Sequence, residues 1–322
     1  MPFAHLHVHT GFSFHESPIR IEDLVQRNLE FGYHSCAITD SNTLAGVIRF
    51  DHAARSAGIT PVFGCELTLL KDGGDDHIVV LARDLEGYSN LCRLVTQAQA
   101  HGRTHPGLMF DQLIPLAGHL TALYGSPESL LYQSLSARRP ERAHCLLERM
   151  QTLFGGNLYL DVQNPMFPDS LRLLYRLHQL SDETHVPACA TGGVTHLRRA
   201  DAEVREMLLA IGLLEQVDDR SRMQPHVNAE SWFKGPDDMQ ELFGDWPEAL
   251  ATSGAIAEEC QVTLPLDGFK TPSSVLTATR SLSDIVYAGA HEKYGSIAPT
   301  VQQRIEHELD TIQRMHMEEY FL

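Results

Sequence analysis

The chain has 322 residues, enough for one large domain or two ordinary ones, so its core needs no disulfide or metal to hold it. With 25 basic against 42 acidic residues the net charge is −17, which argues against direct gripping of a nucleic-acid backbone, because that affinity comes largely from neutralising phosphates. No run approaches eighteen apolar residues, so a membrane-spanning helix is excluded. Met1-Pro2-Phe3-Ala4 leads directly into a histidine-rich stretch without a charged or apolar leader, and a cytoplasmic address with no membrane partner is expected. Six cysteines lie scattered, without CxxC spacing and in part within apolar runs; they read as buried thiols.

Short β-rich runs alternate with helical patterns along the first two thirds of the chain. The candidate strands are Ala4–Val8, Ser35–Thr39, Thr60–Phe63, His77–Ala82, Leu120–Tyr124, Leu158–Val162 and Pro187–Thr191. Between them, apolar residues recur at helical spacing over Glu22–Phe31, Leu44–Ala57, Gly87–Ala100, Arg142–Phe154 and Ser170–Thr184. The alternation predicts an α/β fold with a largely parallel sheet, and seven such strands suggest a closed or nearly closed barrel. Glu66–Leu70 and His77–Ala82 flank Lys71-Asp72-Gly73-Gly74-Asp75-Asp76 and predict a hairpin, its acidic turn solvated and lacking the spacing of a calcium loop. After Gly212 the chain turns irregular. Helices are predicted over Asp237–Phe243 and Pro247–Gln261, a connector over Leu264–Ser274, and an amphipathic helix over Val301–Met315 with Ile305, Leu309 and Ile312 on one face. The apolar end at Glu319-Tyr320-Phe321-Leu322 is an unexpected place for a natural domain to finish.

Residues two apart in a strand share a face, so His5, His7 and His9 can point the same way off the end of the first candidate strand. Two neutral imidazoles from one HxH can bind a single divalent metal, completed by carboxylates from other strand ends. Strand C-termini build the site in α/β barrels, and Glu66 is placed to join. Ordinary hydrogen-bonded histidines remain an equal reading of an HxH among eighteen histidines. Asp40, in the turn after the second candidate strand, is expected to cap the next helix.

The ordered set of motifs narrows these alternatives. His5-Leu6-His7-Val8-His9-Thr10, Ala37-Ile38-Thr39-Asp40, Gly58–Glu66 and His77–Ala82 resemble the PHP (polymerase and histidinol phosphatase) family. The similarity continues through Gly87-Tyr88-Ser89-Asn90-Leu91, Asn157–Gln163, Asp201-Ala202-Glu203, Pro247-Glu248-Ala249-Leu250, Glu308–Ile312 and Tyr320-Phe321-Leu322. It follows in particular the PHP domain at the front of the bacterial family C DNA polymerases, the DNA polymerase III alpha group. Leu44-Ala45-Gly46-Val47 is similar to the error-prone branch of that group.

The resemblance implies a distorted seven-stranded (β/α)7 PHP barrel over residues 1–272 with a C-terminal helical extension. Residues 273–322 would be a connector and the start of the polymerase palm region. Active members hold up to three metal ions at the strand ends and hydrolyse phosphoesters. Carried onto this chain, the first site takes His7, His9 and Glu66, with Gly193 where an aspartate belongs. The second shares Glu66 and adds His77, with Ser126 in place of a cysteine or histidine. In the third, Ser41 and Thr195 stand for histidines, and the early ligand is Glu16 or, one place before it, His15. So the resemblance implies a phosphoesterase site largely lost. It holds either no cofactor or one zinc or manganese ion on His7, His9 and Glu66, with water or His196 filling in.

The implied role is structural and partner-docking, in DNA replication or repair synthesis. The partners would be the remainder of the polymerase and a proofreading exonuclease subunit, with DNA contacted only indirectly. A residual metal-dependent phosphoesterase or 3′–5′ exonuclease is the alternative. DNA synthesis itself needs palm carboxylates that would lie beyond Leu322.

Overall fold

The computed structural model describes residues 3–71, 74–102, 105–167, 169–214, 216, 228–266 and 280–322. In chain order its elements begin with α1 (Ile21–Glu30), β1 (Ser35–Ile38), α2 (Val47–Ser56), β2 (Thr60–Leu69), β3 (Asp76–Ala82) and α3 (Leu85–His101). There follow α4 (Phe110–Leu113), β4 (Leu120–Tyr124), α5 (Leu130–Ser136), α6 (Pro140–Phe154), β5 (Leu158–Val162), α7 (Ser170–Thr184) and β6 (Ala188–Ala190). Helices α8 (Ala202–Leu213), α9 (Pro236–Phe243) and α10 (Pro247–Glu259) complete a first unit, Met1–Leu264. The second unit, Pro265–Leu322, contains α11 (Leu282–Tyr294), α12 (Pro299–Arg314) and α13 (Glu318–Phe321). The expected boundary at residues 272 and 273 lies outside the described residues.

The six strands form one sheet in sequence order, β1 to β6. Every neighbouring pair is parallel except those made by β3, which runs antiparallel to both β2 and β4. The predicted hairpin is the cause. β2 continues without interruption from Thr60 to Leu69, absorbing the run expected as a separate strand at Glu66–Leu70, and β3 folds straight back on it.

The seventh expected strand, Ala4–Val8, is not a strand. Its backbone hydrogen bonds are divided between two neighbours, leaving only the isolated parallel bridges His5↔Cys36 and Val8↔Val194. On one side Ala37 N–H donates to His5 O (2.8 Å) and Thr39 N–H to Val8 O (2.8 Å). On the other, His9 N–H donates to Val194 O (2.8 Å) and Val194 N–H to His7 O (3.0 Å). Val8 N–H goes to a side chain, Thr39 Oγ1, which breaks the ladder pattern. The extended segment therefore links β1 to the chain beyond β6, and a six-stranded sheet stands where seven strands were expected.

Two apolar layers hold this sheet. On one face Leu6, Val62, Val79, Leu81 and Leu123 pack with Ile256 and Ala257 of α10. The other face carries the larger core, with Leu24 of α1, Phe50 of α2, Leu91 and Leu94 of α3, Leu147 and Met150 of α6, and Leu173 and Leu177 of α7. These are the positions at which helical periodicity brings apolar side chains to one stripe. In the second unit, Ser281 caps α11 by accepting from Asp284 N–H, and Leu309 is the buried member of the α12 stripe.

Gly64, on β2 two residues before Glu66, sits where two strands approach closely. A Cβ there would come within 2.5 Å of Leu81 Cδ2 and 2.7 Å of Val80 O. Gly64→Ala is expected to destabilise the first unit by about 2 kcal/mol through forced strand separation. Chemical denaturation of the variant measures this, and an unchanged midpoint would contradict the close approach.

Candidate metal centre

Parallel strands deliver their C-terminal ends to one rim of a sheet, where sites are commonly built. Here the rim receives His7 and His9 from the extended segment, Ser41 after β1, Asp161 and Gln163 at the end of β5, and Thr191–Gly193 after β6. The antiparallel β3 contributes its beginning instead: His77 pairs with Thr68, so it reaches the rim that holds Glu66. Asp40 does not cap the next helix. α2 starts at Val47, and Gly46 before it provides no side-chain cap. The buried Asp40 carboxyl accepts from Thr10 N–H (2.6 Å), Thr10 Oγ1 (2.8 Å) and Ser13 Oγ (2.7 Å), and so fastens the loop that follows His9.

Three of the expected ligands converge. His7 Nε2 and His9 Nε2 face each other at 3.1 Å, with Glu66 Oε1 3.7 Å from the first and Oε2 3.7 Å from the second. All three residues are buried, and among the described residues they are the one His/Cys/Asp/Glu group close enough to hold an ion. A tetrahedral ion with bonds of about 2.1 Å sets its ligand atoms about 3.4 Å apart, so the residues present fit a single zinc-like ion. His7 Nδ1 bonds Asp161 Oδ2 at 2.8 Å, the outer-shell carboxylate that commonly orients a metal-binding imidazole.

The remaining expected residues divide. His77 Nδ1 lies 3.8 Å from Glu66 Oε1 and has no hydrogen-bond partner, so it faces the group without joining it. Glu16 reaches the same cavity, accepting from Ser41 Oγ at 2.5 Å with its Oε2 3.6 Å from His9 Nδ1. His15, next to Glu16, is exposed with a left-handed backbone (φ 65°) and is not among the residues lining the cavity. His196 is fully buried with its ring on Ala229 O and Thr195 Oγ1, away from the Glu66 group. His5 also leaves the shared face expected for it, bonding Lys234 O at 2.9 Å amid the rings of Phe3, Tyr33 and Phe233.

Sequence reasoning missed Asp161, Gln163, Glu128, Arg205 and Lys234. The last four line the cavity with the histidines. Asp161 and Gln163 stand at a strand C-terminus, a signal that was available. Arg205 looks in sequence like one more solvated charge, yet it is only 3% exposed.

The electrostatics of the group are those of a shared positive charge. Burial pulls the His7 imidazole down, but Asp161, then Glu66 and Glu128, outweigh it and raise His7 to about 9. Burial lowers His9 to about 4 despite Glu66. Glu66 is itself driven up by burial and down, more strongly, by His9, His77 and His7, and ends below the usual carboxylate range. At neutral pH the metal-free group therefore carries its positive charge on His7, with Nδ1–H on Asp161 and Nε2–H directed at the neutral His9, in the place an ion would take.

A curled α/β sheet whose strand ends gather a buried His/His/Glu group is the arrangement of a PHP domain. Residues 5–165 match that family, and the chain belongs to it. Among curated proteins it is similar to the error-prone DNA polymerase of Symbiobacterium thermophilum, with 35% identity over 346 residues covering all of this chain and 31% of that protein. It is also similar to the DNA polymerase III subunit alpha of Bacillus subtilis, with 31% identity over 333 residues covering 100% of this chain and 29% of that one. The chain thus spans less than a third of the length of these relatives. Among solved structures, a candidate metal-dependent phosphoesterase from Bifidobacterium adolescentis superposes with a TM-score of 0.44 at 15% identity, over 59% of this chain and 86% of that chain. Among the described residues no helix is long and apolar enough to cross a membrane.

The His7 charge sets a pH dependence. Its folded value of about 9 lies above the ordinary 6.5, so protonated His7 stabilises the fold, fully below pH 6.5 and not at all once the pH has risen past 9. His5, His9 and His196, lowered to about 4 by burial, act in the opposite sense, and their contribution is complete above pH 6.5. Lys234, lowered to about 8 by burial, begins to oppose His7 only near that pH. Glu16, raised to about 7 by burial, acts in the same sense as His7 over part of this range. Between pH 6.5 and 8 the metal-free protein is expected to lose about 1 kcal/mol of stability or more per pH unit, and His7→Gln to lower the slope, most clearly at the upper end. Urea denaturation in chelator measures both, and a flat wild-type curve would rule out the charged His7.

Proposed function

We propose that this chain is the PHP portion of a bacterial family C DNA polymerase, a structural and partner-docking domain that retains one cation site and has lost phosphoester hydrolysis. The observation that carries this reading is the convergence of His7, His9 and Glu66, set against the residues present where the family resemblance expects further ligands. His7, His9 and Glu66 meet, whereas Ser41, Ser126 and Thr195 offer only neutral hydroxyls to further ions, and Gly193 offers nothing. Metal-assisted hydrolysis uses ions to activate water and to clamp the phosphoryl oxygens, and one three-ligand site is a poor basis for both.

A zinc or manganese ion would be held by His7 Nε2, His9 Nε2 and Glu66, and when bound it supplies a fixed positive charge and Lewis acidity. Asp161 orients His7, and Ser13 bonds His9 Nδ1 (3.2 Å) on the other side of the pair. In this reading the extended segment Ala4–Val8 counts as the seventh stave of the barrel. Residues 1–272 form the PHP domain and 273–322 lead towards a palm. DNA synthesis, its nucleotide substrates and a docked proofreading exonuclease belong to the longer protein, with DNA contacted indirectly and a cytoplasmic location implied by the role.

A second reading, a residual phosphoesterase or 3′–5′ exonuclease, is favoured by one observation: Arg205 and Lys234 line the cavity beside the histidines and would suit a phosphate.

Elemental analysis of natively purified protein separates the two together with a hydrolysis assay. The expected result is about one zinc or manganese per chain, lost in His9→Ala and Glu66→Gln. No chelator-sensitive cleavage of a nitrophenyl phosphate or a 3′-labelled oligonucleotide is expected. Cleavage abolished by chelator and by His9→Ala would establish the second reading, and near-zero metal would refute the retained cation site.

A further inference from the structure

We infer that Gln163 is a positioning residue for the cation site: its amide fills the space that a side chain at position 193 would need, and from there holds Asp161 against His7. The inference deepens the one-cation reading and rests on it only where ion affinity is concerned.

Space is the first part of the case. Gly193 has a left-handed backbone (φ 50°), and a Cβ built on it would meet the Gln163 side chain, coming within 2.9 Å of Cδ and 3.2 Å of Nε2. A Gln163 amide in its present place and any side chain at 193 are mutually exclusive. The position where the family resemblance expects an aspartate is therefore filled from another strand.

Hydrogen-bond accounting is the second part. Asp161 is fully buried, His7 is 2% exposed and Gln163 is 9% exposed, so each polar atom among them needs a partner. Asp161 Oδ1 accepts from Thr191 Oγ1. Asp161 Oδ2 lies 2.8 Å from His7 Nδ1 and 3.2 Å from Gln163 Nε2. Both nitrogens donate to it. An unprotonated Nδ1 would set two lone pairs against each other at 2.8 Å, and a reversed amide would set its carbonyl oxygen against a carboxylate. Gln163 Nε2 lies 3.0 Å from Nδ1, and since both are donors it is the shared acceptor Asp161 Oδ2 that holds the two nitrogens side by side. With Nδ1–H committed to Asp161, the His7 ring can present only Nε2 to His9 and Glu66, which is the orientation an ion requires.

Three measurements on the full chain test this. In the metal-free protein, the His7 Nδ1–H bonded to Asp161 is expected as a protected, low-field proton resonance, assigned by its loss in His7→Gln. Gln163→Met, which keeps the bulk and removes the amide, is expected to shift or lose that resonance and to weaken zinc and manganese binding by roughly tenfold in calorimetry. Gly193→Ala is expected to lower Tm in the wild-type background and to lower it less beside Gln163→Ala, because the two side chains compete for one volume. Gln163→Met with an unchanged resonance and wild-type ion affinity would overturn the positioning role. Equal Tm losses in the two backgrounds would overturn the shared volume. If wild type binds no ion, the one-cation reading falls, and the proton resonance still decides the role of Gln163.

Discussion

The structure depends on how residues 4–9 spend their backbone hydrogen bonds. A segment bound to one neighbour would be an edge strand, and its histidines would hang on the outside of the sheet. By sharing its bonds between β1 and Val194, this segment becomes interior to the fold. Ala4, Leu6 and Val8 are fully buried, and His7 and His9 are nearly so. The period of two then does the rest: bonds that seat the backbone also aim alternate side chains at the rim where β2 and β5 end. Asp40 extends the same control past His9 by fastening Thr10 and Ser13, and Ser13 in turn bonds His9 Nδ1.

That placement creates an electrostatic obligation. Among the described residues, the buried carboxylates Asp161 and Glu66 find their hydrogen-bond and ion-pair partners in histidines, Gln163, Thr191 and Ser41, and in no lysine or arginine. Burying charge without compensation is costly, and the positive charge has to come from the imidazoles or from an ion. A proton on His7 meets the need at neutral pH, and a cation would meet it with the same atoms. The two are therefore competitors for one place, which makes metal binding a proton-releasing event and ties site chemistry to fold stability. Glu16 and Glu128 reinforce the preference for positive charge, Glu128 being raised by burial and by the nearness of Glu66.

Much of the architecture was legible in the residues, because five of the six strands lie in apolar runs bounded by turn residues and match their expected spans within a residue or two. The exceptions share a cause. β2 runs on through Gly64 from the expected Thr60–Phe63 into Glu66–Leu70, because Gly64 is a point of close strand approach and not an end. Ala4–Val8 has the pattern of a strand, and nothing local reveals that it will answer to two partners. Helix α8 was missed because Leu209 and Ala210 are accompanied by exposed Val204, Met207 and Ile211, which blurs its apolar stripe. At the site, the family motifs pointed to His7, His9 and Glu66, which the fold brings together. They could show that Gly193 is an absence. They could not show what fills it, since Gln163 lies thirty residues earlier and meets position 193 only through the order of β5 and β6.

Holding a cation and using one are separable properties of such a rim. Three donors on the extended segment and β2, steadied by Asp161 on β5, are enough to bind, and binding to the folded state alone stabilises it by mass action. The ion would link His7 and His9 to Glu66, about 60 residues further along the chain, and closing a loop of that length removes freedom from the unfolded ensemble. Hydrolysis asks for more: a second centre of charge and an open position aimed at a reacting phosphorus. On the proposed reading, Gly193, Ser126, Ser41 and Thr195 would remove those requirements without touching His7, His9 and Glu66. On that reading a domain can lose its reaction while keeping the part of its metal chemistry that serves the fold, and the amide of Gln163 occupies the space that a side chain at position 193 would need.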